Sequence, residues 1–90
     1  MGVVAIIVKI MPDSPEADLE EIKSHTSKIL EGKGAMNLSF EIVPIAFGLN
    51  AVKAKFAWPE AQDTEIIETS LSKIKHVSSA QIEDYRRAFG

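Results

Sequence analysis

Three groups of residues have the types that chemistry uses. The first is acidic. Glu16, Asp18, Glu20 and Glu21 crowd one short stretch, and clustered carboxylates can hold a cation or a basic substrate. They also precede an apolar helical pattern, where each is stabilised by the helix dipole by ~0.3–1 kcal/mol, and this structural reading is the stronger. The second group is His25 and His76 with Ser24, Ser27, Ser39, Ser70, Ser72, Ser78 and Ser79. The histidines fall on different predicted helices and read as surface polar residues; no HxxxH or HExxH spacing occurs, and no serine has a convincing arrangement of base and orienter. The chain also lacks cysteine, a GxGxxG or Walker loop and a carboxylate-rich calcium loop, so no cofactor, metal or disulfide is expected. The third group is apolar: Pro44-Ile45-Ala46-Phe47-Gly48. Its chemistry would be recognition. Pro fixes φ and Gly tolerates φ > 0, so the stretch is a turn carrying a bulky ring. Such a ring either folds back as a cap on the core or points out to be used.

The elements around that turn follow from period. Residues 3–11, VVAIIVKIM, make a strand. Val4, Ile6, Val8 and Ile10 form the core face; Val3, Ala5, Ile7, Lys9 and Met11 form a mixed second face, as in a central strand. Pro12 to Pro15 break it. A helix over roughly 16–31 carries Leu19, Ile22, Thr26, Ile29 and Leu30 on one face, with Ser14 or Asp18 as its cap and Gly32 and Gly34 at its end. A strand over 36–43 points Leu38, Phe40 and Ile42 inward. After the turn, a strand over 49–58 points Val52, Ala54, Phe56 and Trp58 inward and leaves Leu49, Ala51, Lys53 and Lys55 on the other side. Period two extended into the turn gives Phe47 that second face. A helix over about 64–75 follows, capped by Asp63 or Thr64, with Ile67, Leu71 and Ile74 as its stripe. A last strand over 77–88 has Ala80 and Ile82 inward.

The order βαββαβ predicts an α+β, ferredoxin-like sandwich: a four-stranded antiparallel sheet in order 4-1-3-2 with both helices on one face. One domain over residues 1–90 is expected. A chain this size buries about 60–65% of its unfolded surface, enough for one core. At 46% hydrophobic and 26% charged it is an ordinary globular composition. A net charge of −3 argues against a bulk nucleic-acid footprint. The longest apolar run, Val3 to Val8, is too short to span a bilayer and has no basic leader or cleavage site, so a cytoplasmic protein is expected. In this layout the turn at 44–48 and the arginines Arg86 and Arg87 lie at opposite ends of strands about 27 Å long. A partner touching both must lie along the open face.

Fold alone does not decide among the functions it hosts. A phosphatase of this shape needs a glycine-rich cradle with an arginine after the first strand, where this chain has Pro12-Asp13-Ser14-Pro15. A single-stranded RNA binder needs rings on the open face of the first and third strands, where this chain has Ala5, Ile7, Ala51 and Lys53. A protein-binding module using the open face and the turn is the third class. An RNA-binding or small-molecule regulatory domain is kept as the alternative.

Four stretches carry a family likeness: Met1-Gly2-Val3-Val4; Val8-Lys9-Ile10-Met11-Pro12-Asp13-Ser14-Pro15; Pro44-Ile45-Ala46-Phe47-Gly48-Leu49; and Asp84-Tyr85-Arg86-Arg87-Ala88-Phe89-Gly90. Together they resemble the archaeal translation elongation factor 1-beta family over essentially the whole chain. The resemblance implies a guanine nucleotide exchange factor whose partner is the GTPase elongation factor 1-alpha, with no covalent chemistry of its own, no membrane and no direct nucleic acid. It implies that Phe47 inserts into the GTPase, with Pro44, Ile45, Ala46 and Gly48 shaping its loop. Eukaryotic members carry a C-terminal lysine that reaches toward the magnesium and phosphate site. Counted from Asp84, that position is Gly90, so Arg86 or Arg87 would have to supply the charge. Lys53 and Lys55 complete the expected partner-binding set.

Overall fold

A computed structural model describes residues 2–87. Gly90, the position matched to the eukaryotic lysine, and Ala88, the expected end of the last strand, lie outside the described residues. The elements are β1 (Val3–Pro12), α1 (Leu19–Gly32), β2 (Met36–Pro44), β3 (Asn50–Pro59), α2 (Glu65–Leu71) and β4 (Val77–Arg87). The four strands form one antiparallel sheet in the order β2-β3-β1-β4, which is the expected order counted from the other edge. The fold is the ferredoxin-like α+β sandwich.

Alternation in β1 sets the register of everything else. Val4, Ile6, Val8 and Ile10 are each at most 1% exposed, opposite Trp58, Phe56, Ala54 and Val52 of β3. Ile22 and Leu30 of α1, with Ile67 and Leu71 of α2, close the other side of this core. Trp58 is fully buried, and its ring meets Phe56 edge-on at 5.9 Å. A buried indole N–H needs an acceptor. Trp58 Nε1 donates to the Gln62 carbonyl at 3.2 Å, and Gln62 Nε2 donates onward to the Lys33 carbonyl at 2.7 Å, tying the end of β3 to the end of α1.

Two helix boundaries differ from the sequence reading by more than one residue, the start of α1 and the end of α2, each for a local reason. α1 starts at Leu19, not 16, because the Asp18 side chain accepts from the N–H groups of Glu20 and Glu21 at 3.0 and 3.2 Å. Its far end is a Schellman turn: Gly34 has φ +101°, its N–H donates to Glu31 and that of Ala35 to Leu30. α2 is only seven residues long. Its start is served by Asp63, which accepts from the Glu65 N–H at 2.9 Å, while Thr64 makes no side-chain cap. Beyond Leu71 the bonds tighten to the i→i+3 type, from Lys73 to Ser70 and Ile74 to Leu71. Ile74 is thus buried by a turn and not by a continued helix. Ala51, expected on the open face, is fully buried beside its register partner Val43, a methyl group that barely rises above the pleat. Among the described residues no helix is long and apolar enough to cross a membrane.

The cap at Asp18 is testable. Asp18→Ala is expected to lower stability by about 1 kcal/mol in urea unfolding, and Asp18→Asn to retain most of it.

Candidate partner-binding site

The turn after β2 is a closed structure. Ile45 N–H donates to the Leu49 carbonyl at 2.8 Å, and Leu49 N–H donates to the Ala46 carbonyl at 3.0 Å. Within that i→i+3 turn Phe47 has φ +57° and Gly48 has φ +78°. Two positive φ values at the central positions are the signature of a type I′ hairpin turn. Such turns favour Asn, Asp or Gly first, because the left-handed conformation brings Cβ against the carbonyl at a cost of ~1–2 kcal/mol. Here the first central residue is a phenylalanine, and it is 95% exposed. Its ring buries nothing that would offset the strain, so the core-cap reading of the sequence fails. Period two also ends at this point, since the left-handed pair breaks the extended alternation.

Around the ring, Pro44, Ala46 and Gly48 are exposed and Ile45 is 42% exposed, an apolar tip at one end of the molecule. A Cβ at Gly48 would meet Pro15 at an ordinary 3.9 Å, so the connection between β1 and α1 flanks the loop and glycine is required there by φ, not by space.

At the other end, Arg86 pairs in register with Ala5, and Arg87 with Val4. Val4 is buried under the helices, whereas Ala5 is exposed. The two arginines therefore leave β4 on opposite faces. Arg86 shares the open face with Lys53 and Lys55; its Nε lies 3.0 Å from Asp84. Arg87 bonds Glu60, just after β3, at 2.7 Å. Along β3 the turn and the row of Arg86 are roughly 23 Å apart.

The lysines are held within the sheet. Lys53 Nζ lies 2.7 Å from Glu83 of β4, reaching over β1, and Lys55 lies 3.4 Å from Glu41 of β2. The hydrogen bond from Lys53 holds the Glu83 carboxyl below the usual carboxylate range, and the same bond raises Lys53. The sequence reading missed these carboxylates. Glu41 was findable, since its register partner is Lys53. Glu83 was not: it sits at a bulge, unpaired between Ile82 opposite Val8 and Asp84 opposite Ile7. Among the described residues, the open face thus carries two paired lysines and the unpaired Lys9 between an apolar tip and one arginine. His76, by contrast, contacts Asp13 at 3.4 Å beside the loop end of β1.

Residues 5–88 match the EF-1 guanine nucleotide exchange domain. The chain belongs to that family. Its curated relatives carry the name elongation factor 1-beta. That of Methanothermobacter thermautotrophicus is 40% identical over 97% of this chain and 98% of the relative. That of Methanoculleus marisnigri is 43% identical over 91% and 93%, and that of Ignicoccus hospitalis 38% over 93% and 90%. This chain is similar to these archaeal proteins along almost its full length and theirs. The exchange-domain family thus has, in this member, an exposed aromatic held in a strained hairpin turn.

Two outcomes follow from the geometry. Phe47→Asn should leave the fold intact and raise stability by about 0.5–1 kcal/mol in thermal unfolding, because asparagine tolerates the left-handed turn and no buried area is lost. For the Lys53–Glu83 pair, the lowered carboxyl contributes stability above its unfolded pKa that is lost as pH falls through the folded value; the raised amine contributes below its unfolded pKa, lost as pH rises through the folded value. The pair therefore acts across the neutral range. An NMR titration should place the Glu83 carboxyl below that of glutamate in an unfolded peptide, and Lys53→Met should move it up.

Proposed function

We propose that this protein promotes GDP release and GTP reloading on the GTPase elongation factor 1-alpha during peptide chain elongation in the cytoplasm. The observation that carries this reading is Phe47, 95% exposed in a left-handed turn within a chain of the exchange-domain family. Strain held at an exposed aromatic has a physical use: the ring is aimed before the partner arrives, so little order is lost on contact.

The action needs no covalent step by this chain. An exchange factor binds the nucleotide-free GTPase more tightly than the loaded one, and by linkage nucleotide and exchanger weaken one another equally. A thousandfold faster release corresponds to a barrier lowered by about 4 kcal/mol. A buried aromatic anchor at an interface supplies ~2 kcal/mol or more. Phe47 is proposed as that anchor, with Pro44, Ile45, Ala46 and Gly48 holding and flanking it. Arg86 is proposed as the far contact, because it shares the open face with Lys53 and Lys55 while Arg87 leaves on the other side. The single domain lies along the partner, from the apolar tip to the arginine.

Release of a fluorescent GDP analogue from purified elongation factor 1-alpha tests this. The protein should accelerate release at substoichiometric amounts. Phe47→Ala should slow the catalysed rate by about 30-fold, and Arg86→Ala should reduce it more than Arg87→Ala. Undiminished release by folded Phe47→Ala sinks the anchor role.

A further inference from the structure

The sheet's helical side carries a second feature unrelated to the turn. Between α1 and the end of α2 runs a cleft of about 390 Å³, near the small end of ligand-sized cavities. Its floor is Ile29 and Ile74; its rim is His25, Lys28, Lys73 and Lys75. The spacing explains the convergence. His25, Lys28 and Ile29 lie at i, i+3 and i+4 on one face of α1, and the tight turn after Leu71 brings Lys73, Ile74 and Lys75 against that face.

Charge makes the cleft unusual in this chain. The protein has a net charge of −3 and ten Lys and Arg residues. Lys23, Lys53, Lys55, Arg86 and Arg87 form ion pairs. Among the described residues Lys9, Lys28, Lys33, Lys73 and Lys75 form none. Three of those five border this one cleft, and no carboxylate lines it. Gathering like charges over an apolar floor is unfavourable until an anion joins them.

We infer that this cleft docks a short acidic segment of a partner protein, one bulky aliphatic side chain on Ile29 and Ile74 with flanking carboxylates on Lys28, Lys73 and Lys75. The floor and rim together select this occupant. A free phosphate would leave the isoleucines unused. A nucleic acid would meet no arginine plane in the cleft on which a base could stack, and its phosphates, like a free phosphate, would leave the isoleucines unused. An acidic peptide with an aliphatic centre uses both parts.

The test titrates the full isotope-labelled chain with an acetylated, amidated pentapeptide of leucine between two pairs of glutamates. Backbone NMR shifts are expected at His25, Ile29, Ser70 and Ile74. Replacing the leucine by serine should weaken binding about tenfold, the loss of one buried aliphatic side chain. The exposed double variant Lys28→Glu/Lys73→Glu should weaken it at least as much while keeping the wild-type circular dichroism. Equal binding of the serine peptide, preference for an oligouridylate, or absence of shifts at these residues would overturn the inference. So would shifts there that grow with protein concentration alone, since the cleft would then receive a second copy.

Discussion

The row Val4, Ile6, Val8 and Ile10 is the constraint on which the molecule rests. These four side chains are withdrawn from water and lie under both helices. A strand slipped by one residue would expose all of them and bury Lys9 in their place. The register with β3 follows, because Trp58, Phe56 and Val52 must face the same layer. So does the open face: with one core of this size, the second side of the sheet has nothing left to cover it. The surface proposed for the partner is what remains after the core is satisfied.

That surface is built by two kinds of force. Along its length, electrostatics are settled internally, with Lys53 on Glu83 and Lys55 on Glu41. Exposed pairs of this type add little stability. Their larger effect is to tie Lys53 and Lys55 to carboxylates of the neighbouring strands, so that both side chains lie across the sheet. At the tip the force is conformational. Phe47 is held against its own backbone preference by a two-residue hairpin turn whose hydrogen bonds close on either side of it. Most of a fold avoids such a placement, and here no buried area offsets it.

The helical side obeys different rules. There the two helices meet over Ile29 and Ile74, and the short α2 ends early enough for its following turn to carry lysines back toward α1. A helix continued to 75 would have spread those residues around its circumference. The tight turn keeps them on one rim, opposite the face that carries the tip and the arginine.

Much of this was legible from residue order. Period two named the core positions of β1 and β3, helical spacing named Ile22, Leu30, Ile67 and Leu71, and Pro44 with Gly48 marked the turn. These are local or nearly local properties, decided by steric and hydrophobic patterns within a few residues. The fate of Phe47 was not decided there, because a ring next to a turn can fold back or stand out, and only the closed, left-handed turn makes it stand out. Nor could pattern choose between Arg86 and Arg87. Alternation counted from Ala80 and Ile82 would send Arg87 to the open face. The bulge at Glu83 inserts one residue, reverses the alternation and sends Arg86 there instead. A bulge arises from how β4 is pulled onto β1 by pairing on both sides of it, so it belongs to the pair of strands and not to either sequence alone. The sequence by itself determined the layer, its core and the presence of a special turn. The tertiary structure decided which way the ring and the arginines face.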